Sequence, residues 1–230
     1  MTNTITTKSR LRGQDFVTLD DLNIPITLIG AGSIGSFTAL GLTKMGCQDL
    51  TVFDFDTVDE VNVGCQLYGM SDLNKDKPTA LNEIINRLAD ISLVACCRKW
   101  DGATSPIMIS ALDSMETRRE VWEAIKSNIK VDWYIDGRMA GEYMHILTVN
   151  MSDKNERAFY EKSLEAKEVE QLSCSNKGIV YNTLIIGGLI TQQVKRIAKK
   201  EPFAREIIFD LPVMGLIASV PQQEEVDTTH

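Results

Sequence analysis

Gly30, Gly32 and Gly35 stand at Gly-x-Gly-x-x-Gly spacing inside Ile26-Thr27-Leu28-Ile29-Gly30-Ala31-Gly32-Ser33-Ile34-Gly35-Ser36, and Asp54 closes the apolar run Leu50-Thr51-Val52-Phe53-Asp54. Such a pattern can hold an anion and a sugar. Gly30 permits a tight turn, Gly32 lets backbone approach a phosphate, and Gly35 lets the following helix pack close to the strand. A helix starting at Ser33 then offers the amides of Gly32, Ser33, Ile34 and Gly35, with the positive end of its dipole, to a phosphate. Asp54 falls where an acid accepts ribose hydroxyls. The glycine pattern alone is a weak signal. With a strand before it, a helix after it and an acid ending the next strand, it reads as a nucleotide-binding βαβ unit.

A dinucleotide dehydrogenase needs nothing particular after the second strand. Here the chain continues Asp54-Phe55-Asp56-Thr57-Val58-Asp59-Glu60-Val61-Asn62-Val63-Gly64-Cys65-Gln66, then Leu73-Asn74-Lys75-Asp76-Lys77-Pro78-Thr79-Ala80, then Ser110-Ala111-Leu112-Asp113-Ser114-Met115-Glu116-Thr117-Arg118. Near the other end come Cys174-Ser175-Asn176-Lys177-Gly178-Ile179-Val180 and Ile185-Ile186-Gly187-Gly188. In order and spacing these segments resemble the ATP-binding core of the ThiF/MoeB/ubiquitin-activating superfamily, from roughly Leu22 to Ile197. Members of that superfamily adenylate the C-terminal carboxylate of a small protein or peptide. The resemblance implies an ATP-dependent adenylyltransferase that uses ATP and Mg²⁺ and releases pyrophosphate. Its partner would be a small ubiquitin-like or sulfur-carrier protein, or a peptide, with a free C-terminus, and the chain would be a homodimer.

Residue by residue, Asn62 matches the family asparagine that contacts the phosphates, Lys77 the phosphate lysine and Asp113 the Mg²⁺ aspartate. The chemistry needs such groups: two anions must approach, so backbone donors, a cation, a metal carboxylate and a ribose acid have to surround them. One aspartate is enough for Mg²⁺, which completes its shell with phosphate oxygens and water. Each residue also has a plainer reading. Asp56 either joins the site or caps the following loop, Lys77 could be a solvated residue at a helix start, and Asp113 could N-cap the helix at Met115. Cys174 is either a covalent attachment point, as in some relatives, or a structural cysteine. Position 65 departs from the family pattern Asn-x-x-Arg-Gln, since Cys65 stands where the arginine reaches the triphosphate. A thiol cannot imitate a guanidinium fork. Either Arg10, Arg12, Arg118 or Arg138 substitutes, or the ATP chemistry has weakened and the chain is a nucleotide-binding scaffold. An NAD-dependent dehydrogenase is the third reading; it accounts for the glycines and Asp54 but not for Asn62, Lys77 and Asp113.

The elements that must position these residues are those of an α/β protein. The expectation is a Rossmann-like open sheet, mainly parallel with antiparallel strands in the C-terminal half and helices on both faces. Strands are predicted at Ile24–Ile29, Leu50–Asp54, Ile91–Cys97 (buried on both faces), Ile107–Leu112, Val131–Ile135, Tyr143–Val149 and, at the edge, Glu206–Phe209. Helices are predicted at Ser33–Met45, Pro78–Ala89, Met115–Ser127, Asn155–Glu170 and Gly178–Lys199. Residues 1–21 read as an N-terminal arm, 22–212 as one nucleotide-binding domain, and 213–230 as a flexible tail.

Composition sets the outer bounds. The chain has 230 residues, 43% of them apolar and 24% charged, as in an ordinary globular protein, and a net charge of −8 argues against nucleic acid as partner. No apolar run is long enough to span a membrane. The five cysteines, Cys47, Cys65, Cys96, Cys97 and Cys174, are odd in number and scattered, which fits a reducing, cytoplasmic setting rather than a disulfide framework. Many relatives carry paired Cys-x-x-Cys motifs for zinc; none occurs here, so no zinc is expected. With only His145 and His230, histidine-based nucleophilic catalysis has little to work with, and His145 reads as structural.

Overall fold

A computed structural model describes residues 16–165 and 179–221. The β-rich apolar runs form β1 (Ile26–Ile29) and β2 (Leu50–Asp54), joined by α1 (Ser33–Met45), with the bounds of α1 and β2 as the sequence predicts. Past β2 the chain forms a short α2 (Glu60–Val63), a 3₁₀ turn at Met70–Asp72, α3 (Lys77–Ala89) and β3 (Val94–Cys97). Then follow β4 (Ile107–Ser110), α4 (Met115–Ile125), β5 (Trp133–Ala140), β6 (Tyr143–Asn150), α5 (Lys154–Glu165), α6 (Val180–Ala198), β7 (Glu206–Asp210) and β8 (Gly215–Ser219).

All eight strands join one sheet in the order β3-β2-β1-β4-β5-β6-β7-β8. The pairs from β3 to β5 are parallel and those from β5 to β8 antiparallel. This is the expected open, mixed, Rossmann-like sheet. The strand order turns back between β1 and β4, and at such a point open α/β sheets bind ligands in the crevice beyond the carboxyl ends of the strands. Helices cover both faces because alternate strand residues need cover on each side. On one face Ile26, Leu28 and Ile109 pack with Leu42 of α1, Leu81 of α3 and Ile190 of α6. On the other, Met108, Tyr134 and Leu147 pack with Trp122 of α4 and Tyr160 of α5. The rings of Trp122, Tyr134 and Tyr160 form a cluster with centroids 4.6–5.7 Å apart.

Two expectations are corrected. β3 is an edge strand and is not buried on both faces: Val94 is 55% exposed, because only β2 flanks it. Glu206–Asp210 is not the last strand, since β8 pairs with it antiparallel and begins within the stretch read as a tail. Residues 166–178, including Cys174, lie outside the described residues, as do Arg10 and Arg12.

Candidate functional site

The crevice is built first by close backbone contact. Gly30 has φ +99°, and a Cβ on it would stand 2.5 Å from the Ala111 carbonyl oxygen, while a Cβ on Gly35 would stand 1.9 Å from the Gly30 oxygen. Neither position tolerates a side chain. α1 starts with Gly32 as its N-cap, with no side-chain cap and no acid in its first turn. An anion can therefore take the place of a capping side chain against the amides of Ser33, Ile34 and Gly35.

Asp54 holds this turn. Its Oδ2 accepts from the Ala31 amide at 2.7 Å and its Oδ1 from the Asp56 amide at 2.8 Å. A carboxylate has about four acceptor positions, so two contacts still leave room for ribose hydroxyls. Asp56 in turn meets Lys77: the ammonium lies 2.7 Å from Asp56 Oδ2, and the Lys77 amide donates to the Asp56 carbonyl at 2.9 Å. Tyr68 closes the circuit. Its hydroxyl donates to the Ala31 carbonyl at 2.7 Å and lies 3.3 Å from the Lys77 carbonyl. Burial, and then the charges of Asp54 and Asp72, push the Tyr68 hydroxyl well above its ordinary range, so it stays protonated and a donor. The glycine turn, Asp54, Asp56, Lys77 and Tyr68 thus form one connected ring of polar contacts. Tyr68 escaped the sequence reading: it lies in a turn-rich connection with no periodicity.

Asn62 sits half-buried on α2, its carbonyl accepting from the Gln66 amide at 3.0 Å. Cys65 is buried against the turn, with the Ser33 hydroxyl donating to its Sγ at 3.5 Å. A thiol thus packs against Ser33 where the family pattern carries arginine.

Asp113 follows β4 at the crevice and is exposed. It does not cap α4. Ser114 does, its Oγ accepting from the Thr117 amide at 3.4 Å. Among the described residues nothing hydrogen-bonds to Asp113, so its carboxylate is free for a cation. Arg118 and Arg138, in contrast, are both committed to buried Asp136, at 3.4 and 2.7 Å. Burial alone would raise the Asp136 carboxyl, but the two guanidiniums hold it below the usual carboxylate range. His145 pairs with Glu206 at 2.9 Å on neighbouring strands, away from the crevice. Among the described residues no group of three or more His, Cys, Asp or Glu could hold a metal ion. Among the described residues no helix is long and apolar enough to cross a membrane.

Comparison with known proteins gives concordant matches. The sequence matches the ThiF family over residues 18–209. It is 27% identical over 121 residues to tRNA threonylcarbamoyladenosine dehydratase 1 of Saccharomyces cerevisiae, covering 46% of this chain and 28% of that protein. It is 29% identical over 116 residues to the probable adenylyltransferase/sulfurtransferase MoeZ of Mycobacterium tuberculosis, covering 44% and 28%. The aligned stretch therefore spans little more than a quarter of these relatives. Among solved structures, Escherichia coli MccB with AMPCPP and MccA superposes with a TM-score of 0.71 at 15% identity, over 90% of this chain and 67% of that one. PaaA superposes at 0.70 with 15% identity, over 89% and 67%, and both likenesses bear on the fold.

Proposed function

The chain belongs to the ThiF family, and from that premise we propose that its crevice binds ATP with Mg²⁺ and adenylates a C-terminal carboxylate. The acceptor class is a small ubiquitin-like or sulfur-carrier protein, or a peptide. A carboxylate oxygen attacks the α-phosphorus, the bond from that phosphorus to the bridging oxygen breaks, and pyrophosphate leaves. The observation that carries the reading is the ring joining the uncapped start of α1, Asp54 and Lys77, with a free Asp113 across the β1/β4 crevice. MoeZ, a solved MccB complex with ATP, and a ubiquitin-like modifier-activating enzyme 5 of Dictyostelium discoideum support the same class by their names.

In this reading the amides of Gly32 to Gly35 seat a phosphate, Asp54 takes the ribose, and Asn62 and Lys77 face the phosphate chain. Asp56 holds Lys77 until a phosphate shares or displaces it. Asp113, exposed and uncommitted, suits a metal that keeps most of its shell for water and phosphate. When bound, Mg²⁺ would offset charge on the departing pyrophosphate. The chain works as a cytoplasmic homodimer.

Pyrophosphate exchange into ATP, with a carrier ending in Gly-Gly and with a short peptide as acceptors, tests this. Acceptor-dependent exchange supports the adenylyltransferase. ATP binding without exchange for either acceptor supports the second reading, a catalytically weakened scaffold, which Cys65 favours.

A further inference from the structure

Asp136 of β5 is fully buried, and two guanidiniums and a phenol converge on it: Arg138 Nε at 2.7 Å, Arg118 Nε at 3.4 Å and the Tyr160 hydroxyl, donating at 3.0 Å. Such a cluster is a poor stability device, since well-packed apolar replacements for buried ion pairs are often neutral or stabilising. Its geometry offers another purpose. Arg118 of α4 is 4% exposed, and its Nη2 donates to both the Leu112 carbonyl and the Gly137 carbonyl, the latter at 3.0 Å. Leu112 lies on the segment leaving β4, and Gly137 on β5, the neighbouring strand. One guanidinium therefore ties the segment leaving β4, one residue before Asp113, to the middle of β5.

On its other side Asp113 is followed by Ser114, fixed as the cap of α4. Both neighbours of Asp113 are thus anchored while its own carboxylate is free. The network reaches further, because Arg138 also donates to the Ser163 carbonyl at 3.2 Å and the Ser163 hydroxyl at 3.0 Å on α5. Asp136 is the anion that keeps both arginines in register.

We propose that Arg118 is a positioning residue for the adenylation site: seated on Asp136, it fixes the Leu112 carbonyl and so sets where Asp113 presents its carboxylate to the metal. This rests on the proposed role of Asp113. It is distinct from any direct contact of Arg118 with nucleotide, which its burial prevents.

The test uses the full chain, AMPCPP and Mn²⁺ as the metal probe, followed by paramagnetic resonance of free Mn²⁺. Groups that orient metal ligands typically change metal affinity by about 10- to 100-fold when replaced. Arg118→Lys keeps a cation beside Asp136 but loses the planar fork, and should weaken Mn²⁺ binding by about tenfold. The double variant Arg118→Met/Asp136→Asn removes opposite charges together, guarding against an unpaired buried carboxylate, and should show the same loss. AMPCPP binding without metal should be unchanged in both, because the glycine turn and Asp54 are untouched. Wild-type Mn²⁺ affinity in both variants, with Asp113→Asn still defective, overturns the role of Arg118 alone. Wild-type Mn²⁺ affinity in Asp113→Asn overturns the reading of Asp113, and that of Arg118 with it.

Discussion

The ammonium of Lys77 lies 2.7 Å from the carboxylate of Asp56, and its side chain is 7% exposed against 51% for Asp56. The cation assigned to the phosphates is therefore held by an internal anion, close to the uncapped start of α1. A phosphate must share or displace that partner. Lys77→Met should weaken ATP binding by about 10- to 100-fold, the loss of a charge-assisted contact of about 1.5–3 kcal/mol. Asp56→Asn should lower the stability of the nucleotide-free chain by about 1–2 kcal/mol, a modest figure because Asp56 is half in solvent. ATP should then raise the melting temperature of Asp56→Asn by more than it raises that of the wild type. An equal or smaller shift would show that Asp56 does not restrain Lys77.

Tyr68→Phe removes the hydroxyl that braces the glycine turn against α3. The Ala31 carbonyl loses its partner, at about 1–3 kcal/mol for a buried acceptor left unpaired. Calorimetry should show ATP bound about tenfold more weakly. If the variant melts earlier but binds ATP as the wild type does, Tyr68 serves stability only.

The glycine turn, α1 and β2 were legible because their signals are local: a strand, a turn and a helix within one short stretch. Burial was less so. The apolar run ending in β3 reads like a central strand, and only its place at the sheet edge exposes Val94. β8 is five residues long and forms only by pairing with β7, which composition cannot announce. Tyr68 and Ala31 are 37 residues apart, and Asp136 looks like an ordinary strand acid until Arg118 and Arg138 meet it. Local patterns marked the candidate residues of the site; the braces behind them come from long-range packing.

The acid side of the stability profile should carry a contribution from His145. Burial holds its imidazole below the ordinary value of 6.5, against the opposing pull of Glu206. A depressed pKa means that the unfolded chain binds the proton more readily. The stabilisation is thus complete above about 6.5 and is lost as pH falls through the folded-state pKa. Below about 6.5 the wild type should lose melting temperature more steeply than His145→Gln. Parallel profiles would contradict this.

Cys65 leaves the family arginine unreplaced at its own position, and Arg118 and Arg138 are both engaged by Asp136. Of the four candidate arginines, that leaves Arg10 and Arg12 for compensation. Arg10→Ala/Arg12→Ala should lower pyrophosphate exchange by about 10- to 100-fold. Mixing that variant with Asp113→Asn should restore part of the activity if the arginine crosses a dimer. An active wild type indifferent to losing both arginines would reject compensation. In the same assay Cys174→Ala should retain exchange, because the carboxylate itself attacks phosphorus; a folded but inactive variant would give the thiol a direct role.

The outcomes that involve nucleotide all depend on the crevice taking ATP with a divalent cation. Calorimetric titration of the full chain with ATP and Mg²⁺, ATP alone, and NAD tests that directly, with Asp113→Asn beside the wild type. ATP should bind, Mg²⁺ should strengthen it in the wild type but not in Asp113→Asn, and NAD should give no heat of binding. NAD binding more tightly than ATP, or Mg²⁺ strengthening ATP equally with and without the Asp113 carboxylate, would contradict the account.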